Sequence, residues 1–328
     1  MAPLVDRFGR QHTYLRVSVT DRCNYRCVYC MPHEGLDWMD RDELLTYEEI
    51  ARLVRVFASM GVRSVRLTGG EPMLRRNIEF LISELGAIDG IEDLAMTTNG
   101  HRLAQLAPLL KESGLTRLNV SLDSLQPERF AALTRGGKLD KVLAGLEACR
   151  QVGLGPIKIN CVILEDENDD ELYDLVEFFG RHPDHYELRF IEYMPFEARW
   201  HLSVRSADLR KRLSAVYTLE PQEQTRVGRG PARMWRVAES GLKVGFISPL
   251  SKKFCGDCNR LRLMANGHLR TCLSDDGTPS LRDILRGGAS DPELESTIRA
   301  MVLNKIEGHN ALIQGGTPFE GVMTRVGG

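Results

Sequence analysis

Residues 15–30, Leu15-Arg16-Val17-Ser18-Val19-Thr20-Asp21-Arg22-Cys23-Asn24-Tyr25-Arg26-Cys27-Val28-Tyr29-Cys30, run from an apolar β-rich segment straight into a loop with three cysteines. The same design recurs downstream. VRSVRLT (62–68) ends in Gly69-Gly70-Glu71-Pro72, DLAMTT (93–98) extends into TTNG, and RLNVSL (117–122) extends into SLDS. IKINCVIL (157–164) and YELRFIEY (186–193) complete six candidate strands between residues 16 and 192. Helical patterns separate them, as in parallel βαβ units. Six units are too few to close an eight-stranded barrel, so an open, partial (β/α)6 barrel of TIM type competes with a doubly wound sheet. The unusual residues follow four strand ends. A parallel barrel gathers such loops at one face, whereas a doubly wound sheet concentrates its ligands at a switch point. The expectation is therefore an α/β partial barrel.

Thr46 and Glu49 form a capping box before IARLVRVFASM, and Gly61 stops that helix. Further helices are expected over 74–86, 101–113, 138–152 and 169–181. After residue 205 come a short helix SADLRKRL, a polar stretch EPQEQTRVGRGPAR and the short strands MWRVA, KVGFISP, LRLMA and HLRTCL. Two helices, near 279–287 and 292–304, and an irregular tail follow. The expected division is a barrel over 1–205 and a smaller C-terminal α+β unit over 206–328.

A net charge of -2 on 328 residues offers no surplus of cations for counterion release, so no nucleic-acid partner is expected. MAPLVDRFGRQHTY has no apolar h-region, and nowhere do about 18 apolar residues run together, so a cytoplasmic protein with no membrane partner is expected. In a reducing compartment, eight cysteines read as metal or cluster ligands before disulfides. Cys149 and Cys161 lie in the apolar stretches LEACRQVGL and IKINCVIL and read as small buried hydrophobes.

The other six cysteines form two triplets. Cys23, Cys27 and Cys30 supply three thiolates from one loop, whereas structural zinc takes four ligands and an electron-transfer cubane normally takes four cysteines. Three can leave one iron open to a substrate, unless a distant residue such as His33 completes a zinc knuckle. Cys255, Cys258 and Cys272 repeat the arrangement, with His268 as the alternative zinc ligand. Arg260 and Arg262 follow at the spacing that puts both on one strand face, where their guanidinium forks suit phosphate oxygens or purine edges. The arginines of TRVGRGPARMWR (225–236) read as a solvated loop. Taken alone, Ser121 is a strand-end hydroxyl and Met194 a core filler.

CxxxCxxC with Tyr29 before its third cysteine, followed by GGEP, resembles the radical S-adenosylmethionine superfamily. That resemblance implies a cluster on the first triplet with S-adenosylmethionine chelated to its open iron. It also implies cofactor contacts from Tyr29, Gly70, Ser121 and Met194. FISPLSKKFCGDCNRLRLMANGHLRTCL, LRVSVTDRCNYRCVYCMP and RLTGGEPMLR are similar to the GTP 3′,8-cyclase family of molybdenum cofactor biosynthesis, along essentially the whole chain. The resemblance implies two [4Fe-4S] clusters and attack of a 5′-deoxyadenosyl radical on the ribose 3′ hydrogen of GTP. Closure onto guanine C8 then gives 3′,8-cyclo-7,8-dihydro-GTP. Arg16, Arg66, Thr97, Lys158, Arg260 and Arg262 would contact GTP, with Arg16, Arg66 and Lys158 also catalytic. Thr98 competes with Thr97, since one register step exchanges their faces. The ending MTRVGG implies that Gly327 and Gly328 enter the site. Implied partners are a flavodoxin- or ferredoxin-type electron donor, a downstream cyclic pyranopterin monophosphate synthase and a second copy in a homodimer. Another radical enzyme with an auxiliary cluster, or a zinc-stapled scaffold, stands as the alternative.

Overall fold

A computed structural model describes residues 2–194, 202–223, 230–273, 275 and 279–308. Its first six strands are β1 (Tyr14–Ser18), β2 (Ser64–Thr68), β3 (Asp93–Thr98), β4 (Arg117–Ser121), β5 (Ile157–Ile163) and β6 (Tyr186–Glu192). They pair in parallel, in the spatial order of the sequence. There is thus no reversal of strand order among them and no switch point, so the open partial barrel holds over the doubly wound sheet. The connecting helices, α1 (Tyr47–Ser59), α2 (Ile78–Gly86), α3 (Leu103–Glu112), α4 (Pro127–Thr134), α5 (Leu139–Gln151) and α6 (Leu172–Gly180), bury apolar side chains in one core with the strands.

The alternation seen in the strands is what builds the two faces. In β1 and β2, Leu15, Val17, Val65 and Leu67 are fully buried in the main core, while Tyr14, Arg16, Ser64 and Arg66 point to the other side. On α1, Ile50, Leu53, Val54 and Phe57 recur at helical spacing and join the same core. Burying side chains of this size stabilises the fold by about 1.5–3 kcal/mol each. The capping box forms as expected: Thr46 accepts from the Glu49 N–H at 3.2 Å, and Glu49 accepts from the Thr46 N–H at 2.7 Å. Gly61 ends the helix with φ +99°.

Three local expectations shift. The helix expected from residue 74 begins at Ile78, because Pro72–Leu74 forms a 3-10 turn in which Glu71 accepts from the Met73 N–H. Likewise Asp169–Glu171 is a 3-10 turn ahead of α6. Helix α4, which begins at Pro127, escapes the periodicity reading because it is only eight residues long.

The C-terminal part contributes α7 (Ser206–Ser214), β7 (Leu219–Pro221), β8 (Arg233–Val237), β9 (Lys243–Ile247), β10 (Arg260–Leu263), β11 (Leu269–Arg270), α8 (Leu281–Arg286) and α9 (Asp291–Leu303). Its strands extend both edges of the same sheet. β10 pairs in parallel with β1 and β9 in parallel with β6, while β11, β8 and β7 add antiparallel. Eleven strands therefore form one continuous, open surface. No helix among the described residues is long and apolar enough to cross a membrane.

Candidate active site

The inner face of this sheet lines a cavity of about 440 Å³, a size typical of small-molecule sites. Strand register sets its chemistry. Arg262, Arg16 and Arg66 lie side by side on β10, β1 and β2, with Arg260 one inward position earlier on β10. Burial, followed by the neighbouring Arg262, Arg66 and Arg260 charges, holds Arg16 well below the usual arginine range. Burial and Arg260 together bring Arg262 to about 10. Aromatic faces carry part of this charge: Arg66 lies 5.5 Å from the Tyr14 ring centroid and Arg260 4.7 Å from that of Phe254. Thr97 and Asn119, paired on β3 and β4, lie one inward position beyond this row, which itself continues to Ala95 and Arg117. Thr97 rather than Thr98 presents a hydroxyl without a hydrogen-bond partner in the protein, since Thr98 donates to the Glu71 carboxylate at 2.8 Å.

Lys158 differs. It aligns with Asn119 on β5 but is 8% exposed and does not line the cavity. Glu187 lies 3.7 Å from its ammonium. Burial first, then the Arg189 charge, lower Lys158 to about 7. Asn160 and Arg189, which sequence reading passed over, also line the cavity, and each keeps a buried polar atom without a protein partner. Their signal was a polar residue at an inward position of a largely buried strand. Leaving such atoms unpaired costs about 1–3 kcal/mol each, which a polar ligand would relieve.

Both cysteine triplets open onto this one cavity, the first beyond the end of β1 and the second beside β10 and β11. None of the six is joined in a disulfide. In the first loop, Cys23 accepts from the Tyr25 N–H at 3.4 Å and from Asn99 at 3.9 Å. Burial raises Cys23 to about 11 and Cys27 further, so a strongly cationic partner is needed to hold them as thiolates. At the second site burial also opposes ionisation of Cys258, but Arg260 and Lys305 outweigh it and bring the thiol to about 7. Among the described residues, no three His, Cys, Asp or Glu side chains crowd around one point as a single metal ion requires. Neither His33 nor His268 lines the cavity. Three thiols in each set are the donor number of a cluster that keeps one iron open, where structural zinc takes four ligands.

Gly70 is held tightly by the chain itself. Its N–H donates to the Thr20 carbonyl at 2.7 Å and the Glu71 N–H to the Arg22 carbonyl at 2.8 Å. A Cβ on Gly70 would lie 2.5 Å from the Arg22 carbonyl carbon and 2.6 Å from the Asp21 oxygen. Glu71, buried and raised by burial to about 7, accepts from the Met73 and Asn99 N–H groups and thereby ties the GGEP loop to the end of β3. Tyr29 donates to Asp123 at 2.6 Å, bracing the cysteine loop against the end of β4, where Ser121 faces the cavity. Met194, just past β6, lines it too.

Residues 17–179 match the Radical SAM superfamily, and residues 186–311 match Molybdenum Cofactor Synthesis C. A GTP 3′,8-cyclase of Ectopseudomonas mendocina (strain ymp) is 46% identical over 295 residues, 88% of each chain. The chain belongs to the GTP 3′,8-cyclase family. Another such relative, from Mycobacterium sp. (strain KMS), is 43% identical over 331 residues, covering 99% of this chain and 94% of its own. Among solved structures, Streptococcus suis SuiB shares the fold with a TM-score of 0.62 at 18% identity, over 96% of this chain and 77% of that one.

In this GTP 3′,8-cyclase family member, one cavity gathers all six triplet cysteines with Arg16, Arg66, Thr97, Arg260, Arg262, Tyr29, Gly70, Ser121 and Met194. Lys158 stands behind its wall. Gly327 and Gly328 lie outside the described residues, as do Arg226 and Arg229 of the arginine-rich stretch. Of that stretch, Gly230 and Pro231 reach the cavity, and Arg236 pairs with Glu220 at 3.3 Å. Cys149 and Cys161 are fully buried, as apolar packing requires.

Proposed function

We propose that this chain converts GTP to (8S)-3′,8-cyclo-7,8-dihydro-GTP in molybdenum cofactor biosynthesis, as a radical S-adenosylmethionine enzyme with two [4Fe-4S] clusters. The observation that carries this reading is the single cavity with a cysteine triplet at either side and a row of arginines between. Cys23, Cys27 and Cys30 would hold the first cluster, and Cys255, Cys258 and Cys272 the second. With S-adenosylmethionine bound, the first cluster supplies the electron for cofactor cleavage, and hence the radical chemistry at the ribose of GTP.

The chain's own residues bind and orient. Tyr29, Gly70, Ser121 and Met194 line the part of the cavity assigned to S-adenosylmethionine. Arg16, Arg66, Arg260 and Arg262 meet the triphosphate and purine of GTP, because an anion leaving water needs charged donors to offset its desolvation. Thr97 adds a neutral donor, and Lys158 Nζ can take up a proton as the anion arrives. Residues 1–205 would carry cofactor cleavage and 206–328 the second cluster, with Gly327 and Gly328 returning to the site. A cytoplasmic homodimer, fed by a flavodoxin- or ferredoxin-type donor and passing product to cyclic pyranopterin monophosphate synthase, accords with the family.

The test is anaerobic reconstitution with iron and sulphide, then incubation with reductant, S-adenosylmethionine and GTP. Cyclised nucleotide and 5′-deoxyadenosine should both appear, and Cys27→Ala should abolish both. A wild-type protein that cleaves the cofactor but leaves GTP intact would overturn the substrate assignment.

A further inference from the structure

The segment that follows α9 lies against the second cysteine loop at two points. Lys305 is 2% exposed. Its ammonium donates to the Cys258 Sγ at 3.7 Å, to the Arg260 carbonyl at 2.8 Å and to the Thr271 carbonyl. These use its three donors, and none of them goes to a carboxylate. Three residues on, a Cβ on Gly308 would lie 2.9 Å from the Cys255 Cβ and 3.2 Å from its Sγ. Arg10 fastens the stretch between. Its Nε pairs with Asp6 at 2.6 Å, and its other nitrogens donate to the carbonyls of Cys255 at 2.8 Å, Ile306 at 2.8 Å and Glu307 at 2.6 Å.

A buried ammonium is costly unless hydrogen-bonded and neutralised. Carbonyls satisfy its donors but not its charge, and a methionine of similar volume would fill the same space at less cost. The sulphur within hydrogen-bond reach of Lys305 is that of Cys258, which must be a thiolate to ligate iron. Thr271 precedes Cys272, and Arg260 lies two residues after Cys258, so one ammonium spans the two segments that carry the thiols. Hydrogen bonds to the sulphurs and nearby positive charge favour the reduced, more negative state of an iron-sulphur group.

We propose that Lys305 is the positioning residue of the second cysteine site: it braces the Cys258 loop against the Cys272 segment, and by donating to the Cys258 sulphur it makes a bound cluster easier to reduce. This rests on the two-cluster reading above. The test uses the full-length Cys27→Ala protein, whose iron is confined to the second site, as parent for Lys305→Met, Lys305→Gln and Lys305→Arg. After anaerobic reconstitution, iron and sulphide content, an EPR-monitored redox titration and the rate of iron loss to a chelator are measured, with circular dichroism as the control for folding. The Met protein should show a more negative midpoint potential and iron loss faster by about tenfold or more. The Arg protein should lie nearer the parent in potential, and the Gln protein between. Complete iron loss from the Met protein alone also supports the brace. An unchanged midpoint and rate in a folded Met protein would overturn the proposal, as would unfolding of all three variants, which would make Lys305 general packing. If the Cys27→Ala parent itself binds no iron, the two-cluster reading fails first and takes this inference with it.

Discussion

Gly70→Ala should destabilise the protein before any cofactor is added, because the first neighbour that a new methyl group meets is the chain's own cysteine loop. The Arg22 carbonyl oxygen would be the nearest atom to the added Cβ and its carbon would lie 2.5 Å away, against the 3.0 Å below which real Cβ contacts essentially do not occur, so the loops must separate by more than about 0.5 Å. That retreat stretches two backbone hydrogen bonds now at 2.7 and 2.8 Å, Gly70 to Thr20 and Glu71 to Arg22. Overpacking against backbone costs about 1–3 kcal/mol, and each weakened hydrogen bond adds up to about 0.5–1.5 kcal/mol. A loss of about 2–4 kcal/mol follows, or roughly 3–6 °C in Tm for a chain of this length. Cys23 lies next to Arg22, so the first thiol moves with the loop. Urea denaturation of iron-free wild-type and Gly70→Ala proteins measures the stability, and iron content after reconstitution measures the displacement. If the apoproteins agree within about 0.5 kcal/mol and bind iron equally, the clash is absorbed elsewhere, and the tight approach is not what requires glycine here.

Arg262→Ala and Arg260→Ala should each weaken GTP binding by about 1.5–3 kcal/mol, the worth of a charged hydrogen bond, when measured by isothermal titration. Neither should lower the apoprotein Tm appreciably, since each removes a like charge from a buried cluster; wild-type affinity in both would refute their role. Lys158, lowered to about 7 in the free protein chiefly by burial, should regain its proton when the triphosphate binds. Titrations above pH 7 in buffers of different ionisation enthalpy should then reveal proton uptake, and affinity should fall as pH rises from 7. Proton uptake undiminished in Lys158→Met would assign the effect elsewhere. In protein stability the same depressed value acts the other way. The unfolded lysine holds its proton up to its ordinary pKa of 10.5, so the burial penalty is full below pH 7 and relieved as pH rises from 7 to 10.5. Removing Gly327 and Gly328 should suppress cyclisation while iron content and cofactor binding persist; turnover at the full-length rate would reduce the tail to a spectator.

Period-two spacing put Arg260 and Arg262 on one strand face, and the loops after β1 to β4 could be placed at one end because parallel strands share a direction. The same reading could not show that Arg262 stands next to Arg16. Alternation assigns a face but never a neighbour, and these partners are separated by most of the chain. Lys158 shows the limit within a single strand, since an inward position can still be covered by Glu187 and Arg189. For Lys305 there was no local signal at all, because its partners are backbone carbonyls and one sulphur, which any sequence supplies, and the nearby Asp6 that pairs with Arg10 gave no hint of the three distant carbonyls that Arg10 also holds. Gly70 was legible as a loop glycine, but its closest constraint comes from the backbone of residues 21 and 22.

The pairing of β1 with β10 also carries a kinetic consequence. Tyr14 finds its partner Arg260 only when nearly the whole chain has been made. At about 5–20 residues per second, the first strand emerges roughly 12–50 s before the strand that will flank it. During that interval the nascent barrel offers an open β1 edge with the first cysteine triplet just beyond it, while so distant a pairing slows the final closure. Cluster delivery to the first loop can therefore precede completion of the second site, and cells that express this chain faster than it closes should accumulate iron-poor, aggregation-prone protein.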